Sequence, residues 1–352
     1  MFKNLMVYRL GPQASASLEQ WENALAASPF APCGAHEEKS SGWLPPRGHA
    51  GGAFVESVGG QWIARFMVET KAVPGAVLRR KADELAAEIE ASTGRRPGKK
   101  ERSQLRDDAL QRLLPQAFAR ESSLWVWIDP QARRLMLDTS SSARADDVLS
   151  ALADAFSGAG APLDLALLPT QTTPQAAMTA WLADEAGEAI PAAFAIEREV
   201  ELRSTDEERS VVKFTRHLLQ TDEVRRHIAE GKLPVKLALG WQDRASLVLT
   251  DAMHLKRLKL HDLVFEDQPS PKNGDESFDA DVAIATAEYA ALIAELIEAL
   301  GGELPAAEDR AAPAANAKAP APAASGGGSA LPWETDAEAA ARQAGPGERQ
   351  RA

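Results

Sequence analysis

Apolar residues recur three and four apart in two adjacent stretches of the first third of the chain. Leu78, Ala82, Leu85 and Ile89 form one stripe, with Arg79, Arg80, Lys81, Glu84 and Glu88 facing away; Leu105, Ala109 and Leu113 form the next. This spacing predicts two amphipathic helices, the second running from Lys99 to Leu114. Between them Thr93-Gly94-Arg95-Arg96-Pro97-Gly98 carries two glycines and a proline, which stop the first helix and let the chain reverse. A helical hairpin is predicted. Its closed end and one flank hold Arg95, Arg96, Lys99, Lys100, Arg102 and Arg106, against Glu101 as the acid of that run.

Around this hairpin the pattern changes to that of strands and single helices. Phe2 to Leu10 reads as a strand, and Ser17 to Ala27 as a helix with Leu18, Trp21 and Leu25 on one face. Ala53 to Val58 and Gln61 to Val68 flank Gly59-Gly60, a β-hairpin signal. Trp43, Trp62 and Phe66 read as core aromatics. Leu124 to Ile128 and Arg134 to Asp138 form a second strand pair around Asp129-Pro130, followed by a helix from Asp146 to Phe156. Pro162 to Pro174 reads as a crossing. Beyond it come a helix over Ala176 to Glu185, strands over Glu199 to Leu202 and Ser210 to Phe214, a helix capped by Thr221 and stopped by Gly231, and strands over Leu233 to Trp241, Ala245 to Thr250 and His254 to Leu260. Phe278 to Thr286 reads as a strand and Ala287 to Leu300 as a helix. The expected fold is α+β: a central mixed α/β-sheet domain (1–75, 123–165 and 275–303), an inserted helical hairpin (76–122) and a second α+β domain (166–274). From 304 to 352 the chain is rich in Ala, Pro, Gly and Ser, the composition of a disordered tail in which Leu331-Pro332-Trp333-Glu334 stands out.

Composition narrows the chemistry. The formal net charge of -12 means that any nucleic-acid contact must come from local basic islands on an otherwise acidic surface. Cys33 is the single cysteine, which excludes an internal disulfide framework and fits a reducing cytoplasm. No apolar run reaches the ~18 residues of a membrane span, and the chain reads as soluble and intracellular.

Catalytic motifs are missing. No phosphate-binding P-loop, dinucleotide fingerprint, paired-histidine zinc motif or nucleophile elbow occurs, and His36, His49, His217, His227, His254 and His261 lie without ligand spacing. No metal or cofactor is expected. Asp275, Glu276, Asp279 and Asp281 offer a nuclease-like acidic run, with Asp279 and Asp281 on one face of the expected strand. The basic residues of the hairpin read either as a solvated helix surface or as phosphate contacts, and a protein adaptor using the hairpin and Trp333 is the third reading.

Ordered islands along the chain carry a resemblance. Phe2-Lys3-Asn4-Leu5-Met6-Val7-Tyr8-Arg9-Leu10, Pro32-Cys33-Gly34, Gly42-Trp43-Leu44-Pro45-Pro46, Leu113-Leu114-Pro115 with Ala117-Phe118, Trp127-Ile128-Asp129, His227-Ile228 with Gly231-Lys232, Lys236-Leu237-Ala238-Leu239 with Trp241, Leu255-Lys256-Arg257-Leu258-Lys259 and Phe278-Asp279-Ala280-Asp281 resemble, in order, the bacterial RdgC family of recombination-associated proteins. The resemblance spans Phe2 to about Glu303. It implies a non-enzymatic, ring-shaped homodimer that encircles double-stranded DNA, binds single strands too, reads no sequence, and restrains RecA-driven recombination on the nucleoid. It further implies that the hairpin is a tip meeting the partner's tip, that 166–274 is a base, that Phe118 is an interface or gate aromatic, and that Arg120, Lys213, Arg216 and His217 join the hairpin cations at DNA. Read from the residues alone, Phe118 is equally an ordinary aromatic packed under the second helix. Lys213-Phe214-Thr215-Arg216-His217 departs from the family pattern in lacking adjacent lysines.

Overall fold

Alternation of side chains to opposite faces builds this protein around a single sheet. The structure, a computed structural model, describes residues 2–11, 16–158, 163–206, 208–265 and 274–305; the tail expected beyond these, with Leu331-Pro332-Trp333-Glu334, lies outside the described residues. The elements in chain order are β1 (Leu5–Leu10), α1 (Leu18–Ala26), β2 (Lys39–Leu44), β3 (Val55–Val58), β4 (Gln61–Lys71), α2 (Gly75–Thr93), α3 (Lys99–Leu113), β5 (Ala119–Asp129), β6 (Arg134–Leu137), α4 (Ser142–Gly158) and β7 (Leu165–Leu167). There follow α5 (Pro174–Ala183), β8 (Phe194–Ser204), β9 (Val211–Thr215), α6 (Asp222–Ala229), β10 (Lys232–Trp241), β11 (Ala245–Thr250), β12 (His254–Leu260) and α7 (Gly274–Ala299).

The fold class is α+β. The strands order as β2-β4-β5-β6-β1-β12-β11-β10-β8-β9, with β3 beside β4 and β7 beside β1. Every ladder between the described strands is antiparallel, where a mixed sheet was expected. β1 is the joint: it pairs with β6 on one edge and, through Leu5↔Leu255, with β12 on the other. Strands 194–260 thus continue the sheet of strands 5–137.

Two cores lie on the two faces. Leu5, Val7, Ile63, Trp127 and Met136 point to one side with Val200, Leu202, Leu237, Leu239, Leu249 and Leu255, and are covered by α5, α6 and α7. Met6, Tyr8, Phe66, Val126, Ile128 and Leu137 point to the other and are covered by Trp21 and Leu25 of α1 and Val148, Leu152 and Phe156 of α4. This is the period of two expected of a strand buried on both faces. No residue of β8 to β12 joins the second core, so that half of the sheet carries its apolar core on one side only.

Local rules account for several element ends. Ser17 caps α1, accepting from the Gln20 backbone while the Gln20 side chain accepts from Ser17 N at 2.7 Å. Thr221 stands before α6 as expected, yet its hydroxyl makes no cap bond and is buried without a partner among the described residues. Gly59 and Gly60 take the positive φ values of 58° and 82° that a tight β3–β4 turn needs.

Several expectations are corrected. Phe278–Thr286 is helix, not strand: Val282, Ala285, Tyr289, Leu292, Ile293 and Leu296 are buried at spacings of three and four along one continuous α7. The alternation of Asp279 and Asp281 with Phe278, Ala280 and Val282 imitates a strand for one turn. β2 lies in chain read as glycine-rich loop, and β7 lies inside the expected crossing. β2 is held by its ladder on β4, and Gly42 permits it: a Cβ there would stand 2.6 Å from the backbone of Phe30. β5 and β8 start earlier than expected, at Ala119 and Phe194.

Candidate nucleic-acid interface

The first basic island grows from the α2–α3 turn. Leu78, Leu85, Leu105 and Ala109 close a small apolar cluster between the two helices, which follow β4 and precede its ladder partner β5. Gly94 ends α2 with φ 68° and donates to Glu90 O, the left-handed stop that glycine provides. Glu101 caps the start of α3 by accepting from Gly98 N at 3.2 Å. Arg95 pairs with Glu101 at 3.0 Å, and Arg96 with Glu90 at 2.9 Å, an acid from α2 that joins Glu101 in this run. Arg102 Nε donates to Pro97 O at 3.2 Å. Among the described residues no acid pairs with Lys99, Lys100, Arg106 or Arg120, all exposed. Exposed pairs of this kind exchange readily with solvent ions or with a phosphate.

Phe118 stands between this island and the sheet. It is 94% exposed, so it is not packed under α3. Arg120 follows it at the start of β5, opposite Thr70.

The second island lies at the other end of the strand order, on the side of β8 to β12 that the second core leaves uncovered. A cavity of about 520 Å³ there is rimmed by Arg198, Arg216, Arg257 and Lys259, with Glu197 and Glu199. Strand irregularities place these cations. In β12 the register passes from Val248↔Lys256 to Ser246↔Lys259, so Arg257 and Leu258 together oppose Leu247. Such a bulge re-aims side chains: Leu255 and Leu258 both stay in the core, while Arg257, at φ 52°, turns outward. In β8 the register passes from Leu237↔Val200 to Leu239↔Ile196, and Glu197, Arg198 and Glu199 share one partner position. Arg216 also has a left-handed backbone, at φ 56°. Arg257 pairs with Glu199 at 2.8 Å; among the described residues Arg198, Arg216 and Lys259 have no acidic partner.

Of the three candidates of this region, Arg216 reaches the cavity and Lys213 is held by Glu201 at 3.2 Å. The His217 ring lies against Phe214, and its Nδ1 stands 2.5 Å from Leu218 O. Arg198, Arg257 and Lys259 were missed as site residues. A signal existed: Leu255 and Leu258 are three apart within a strand, and Arg198 sits at the inward phase set by Val200 and Leu202.

The acidic run of α7 is engaged elsewhere. Arg47 pairs with Asp279 at 2.6 Å, Glu56 at 3.1 Å and Asp275 at 3.6 Å, lies over the Phe278 ring, and His49 takes Asp275 at 3.0 Å. The hydrogen bond from His49 holds the Asp275 carboxyl below its usual range. Asp281 lines a different, 260 Å³ cavity with Phe2 and Tyr289. Residues two apart on a helix face apart, so the pair expected of a strand does not form. Among the described residues no group of three or more His, Cys, Asp and Glu is set to hold a metal, and no helix is long and apolar enough to cross a membrane.

Fold and surface define a class: an acidic α+β protein on one antiparallel sheet, offering cations at two separate places. The family model described as "Putative exonuclease, RdgC" matches residues 1–303. Proteins called recombination-associated protein RdgC from Dechloromonas aromatica and Herminiimonas arsenicoxydans are each 39% identical, over 307 and 304 residues, covering 86% of this chain and 98% of theirs. That of Cupriavidus necator is 38% identical over 303 residues, with the same coverage. The chain belongs to the RdgC family.

Proposed function

We propose that the chain is a non-enzymatic DNA-binding protein that closes around duplex DNA as a homodimeric ring, binds single strands as well, reads no sequence, and by occupying DNA restrains RecA-driven recombination on the nucleoid. The observation that carries this reading is the cavity on the uncovered sheet face, where Arg198, Arg216 and Lys259 stand without acidic partners among the described residues, in a chain of net charge -12. Phosphates suit such a group because they require positive charge but no order of residues. In this reading 76–122 is the tip, 166–274 the base, and 1–75, 123–165 and 275–303 the centre; tips meet through Phe118, bases meet each other, and both islands of both copies face the hole. Two-fold closure doubles each island's potential inside while the acidic exterior repels polyanions. The names of the relatives support the link to recombination. The engagement of Asp279 by Arg47 supports the absence of a nuclease centre.

The test is binding to two unrelated duplexes between about 0.05 and 0.2 M salt. The expected result is a log-linear loss of affinity, equal for both sequences; indifference to salt or a strong sequence preference overturns the phosphate reading. The same DNA incubated with Mg²⁺ or Mn²⁺ is expected to stay intact, and shortened strands would establish the exonuclease of the family description instead.

A further inference from the structure

Glu201 lies on the uncovered face of β8, where the sheet register brings cations to it from both neighbouring strands. Its Cα partners are Lys236 of β10 and Lys213 of β9, and opposite charges so placed interact directly. Glu201 Oε2 stands 2.8 Å from Lys236 Nζ and 3.2 Å from Lys213 Nζ, and Oε1 3.5 Å from Arg203 Nη2. The Glu201 side chain is 11% exposed, whereas the two lysine side chains are 39% and 61% exposed. A phosphate arriving from solvent therefore meets lysines whose charge is already shared with a fixed anion beneath them. The hydrogen bond from Lys236 holds the Glu201 carboxyl below its usual range, against burial pushing it up, so it is ionised at neutral pH.

We infer that Glu201 is a built-in counter-charge that competes with DNA phosphates for Lys213 and Lys236, so that DNA on this face is held more loosely than its cations alone would hold it. This rests on the DNA-binding reading. It is a different property: binding comes from the cations, looseness from an anion held among them.

The test compares the full-length wild type with Glu201→Gln, Lys213→Gln and Lys259→Gln by fluorescence anisotropy on a labelled duplex across a salt series, with thermal melts to check folding. Glu201→Gln keeps the shape and removes only the charge. It is expected to bind roughly fivefold to tenfold tighter at about 0.1 M salt, with a steeper salt dependence. Lys259, which has no acidic partner among the described residues, should lose about 0.9 in slope as Gln, whereas Lys213→Gln should lose less than about half of that. These two exposed substitutions decide the matter even if Glu201→Gln does not fold. Unchanged or weaker binding by a folded Glu201→Gln overturns the inference, as does a Lys213→Gln loss equal to that of Lys259→Gln. A wild type with no salt-dependent DNA binding overturns the DNA-binding reading itself, an outcome distinct from the other two.

Discussion

Phe118→Ala separates the cost of an aromatic to its own chain from its worth to a second one. The side chain is 94% exposed in the single chain, so truncation removes almost no intramolecular packing and the melt at low concentration should stay put. At a tip contact the arithmetic reverses. Fully burying a Phe side chain is worth about 1.5–3 kcal/mol, and a two-fold contact uses it twice, giving about 3–6 kcal/mol for the interface. At 1.4 kcal/mol per tenfold, the dimer dissociation constant should rise by roughly 10² to 10⁴. Sedimentation velocity over a dilution series reads this directly, and release of DNA from a closed complex should quicken with it. An unchanged dimer, or a large fall in melting temperature without dissociation, would refute the assignment.

Other outcomes follow from the same geometry. Reversing Arg95, Arg96, Lys99 and Lys100 to Glu removes two exposed ion pairs and two lysines that have no acidic partner among the described residues; DNA affinity should fall at least tenfold with a flatter salt dependence, and unchanged affinity by anisotropy would favour a protein adaptor. The chain has two tyrosines, and burial raises both, Tyr289 to about 12. A raised folded-state pKa gives stability that is complete below the unfolded value of about 10 and lost as pH climbs from there towards 12, by up to about 1.4 kcal/mol per pH unit for Tyr289. Absorbance at 295 nm should accordingly show no tyrosine ionising at its ordinary pH while the protein stays folded. Arg257→Gly should be more stable than Arg257→Ala by about 1 kcal/mol, because glycine alone accepts φ 52° freely; both should lose the same DNA affinity, and equal melts would refute the claim of strain.

Local chemistry was legible in the sequence, and convergence was not. The stripes Leu78, Leu85 and Leu105, Ala109 meet in one cluster, and the Ser17 cap and the Gly59-Gly60 turn form where their residue types demand. The cations of the α2–α3 turn could be named because they are neighbours in the chain. β2 could not: Lys39-Ser40-Ser41-Gly42-Trp43-Leu44 has little apolar alternation, and it becomes a strand only because β4 offers it a ladder. The cavity cations come from three segments, around Arg198, Arg216 and Arg257, and no spacing along the chain announces that β8, β9 and β12 bring them to one rim.

Why those cations sit on irregular backbone follows from what the regular alternative would do. With Leu255 inward, strict alternation would send Arg257 into the same core and turn Leu258 out to water. With Val200 and Leu202 inward, it would send Arg198 against Leu237 and Leu239. An unpaired guanidinium buried among leucines costs far more than the ~1–3 kcal/mol of a left-handed or bulged residue. The bulges are therefore the cheaper solution for a strand that must keep its leucines and also present arginine. They leave the apolar side sealed under α5 and α7, and they bring Arg198, Arg257 and Lys259 to the rim that Arg216 completes. In a chain whose acids outnumber its 39 lysines and arginines, backbone irregularity, more than the number of basic residues, decides where the cations gather.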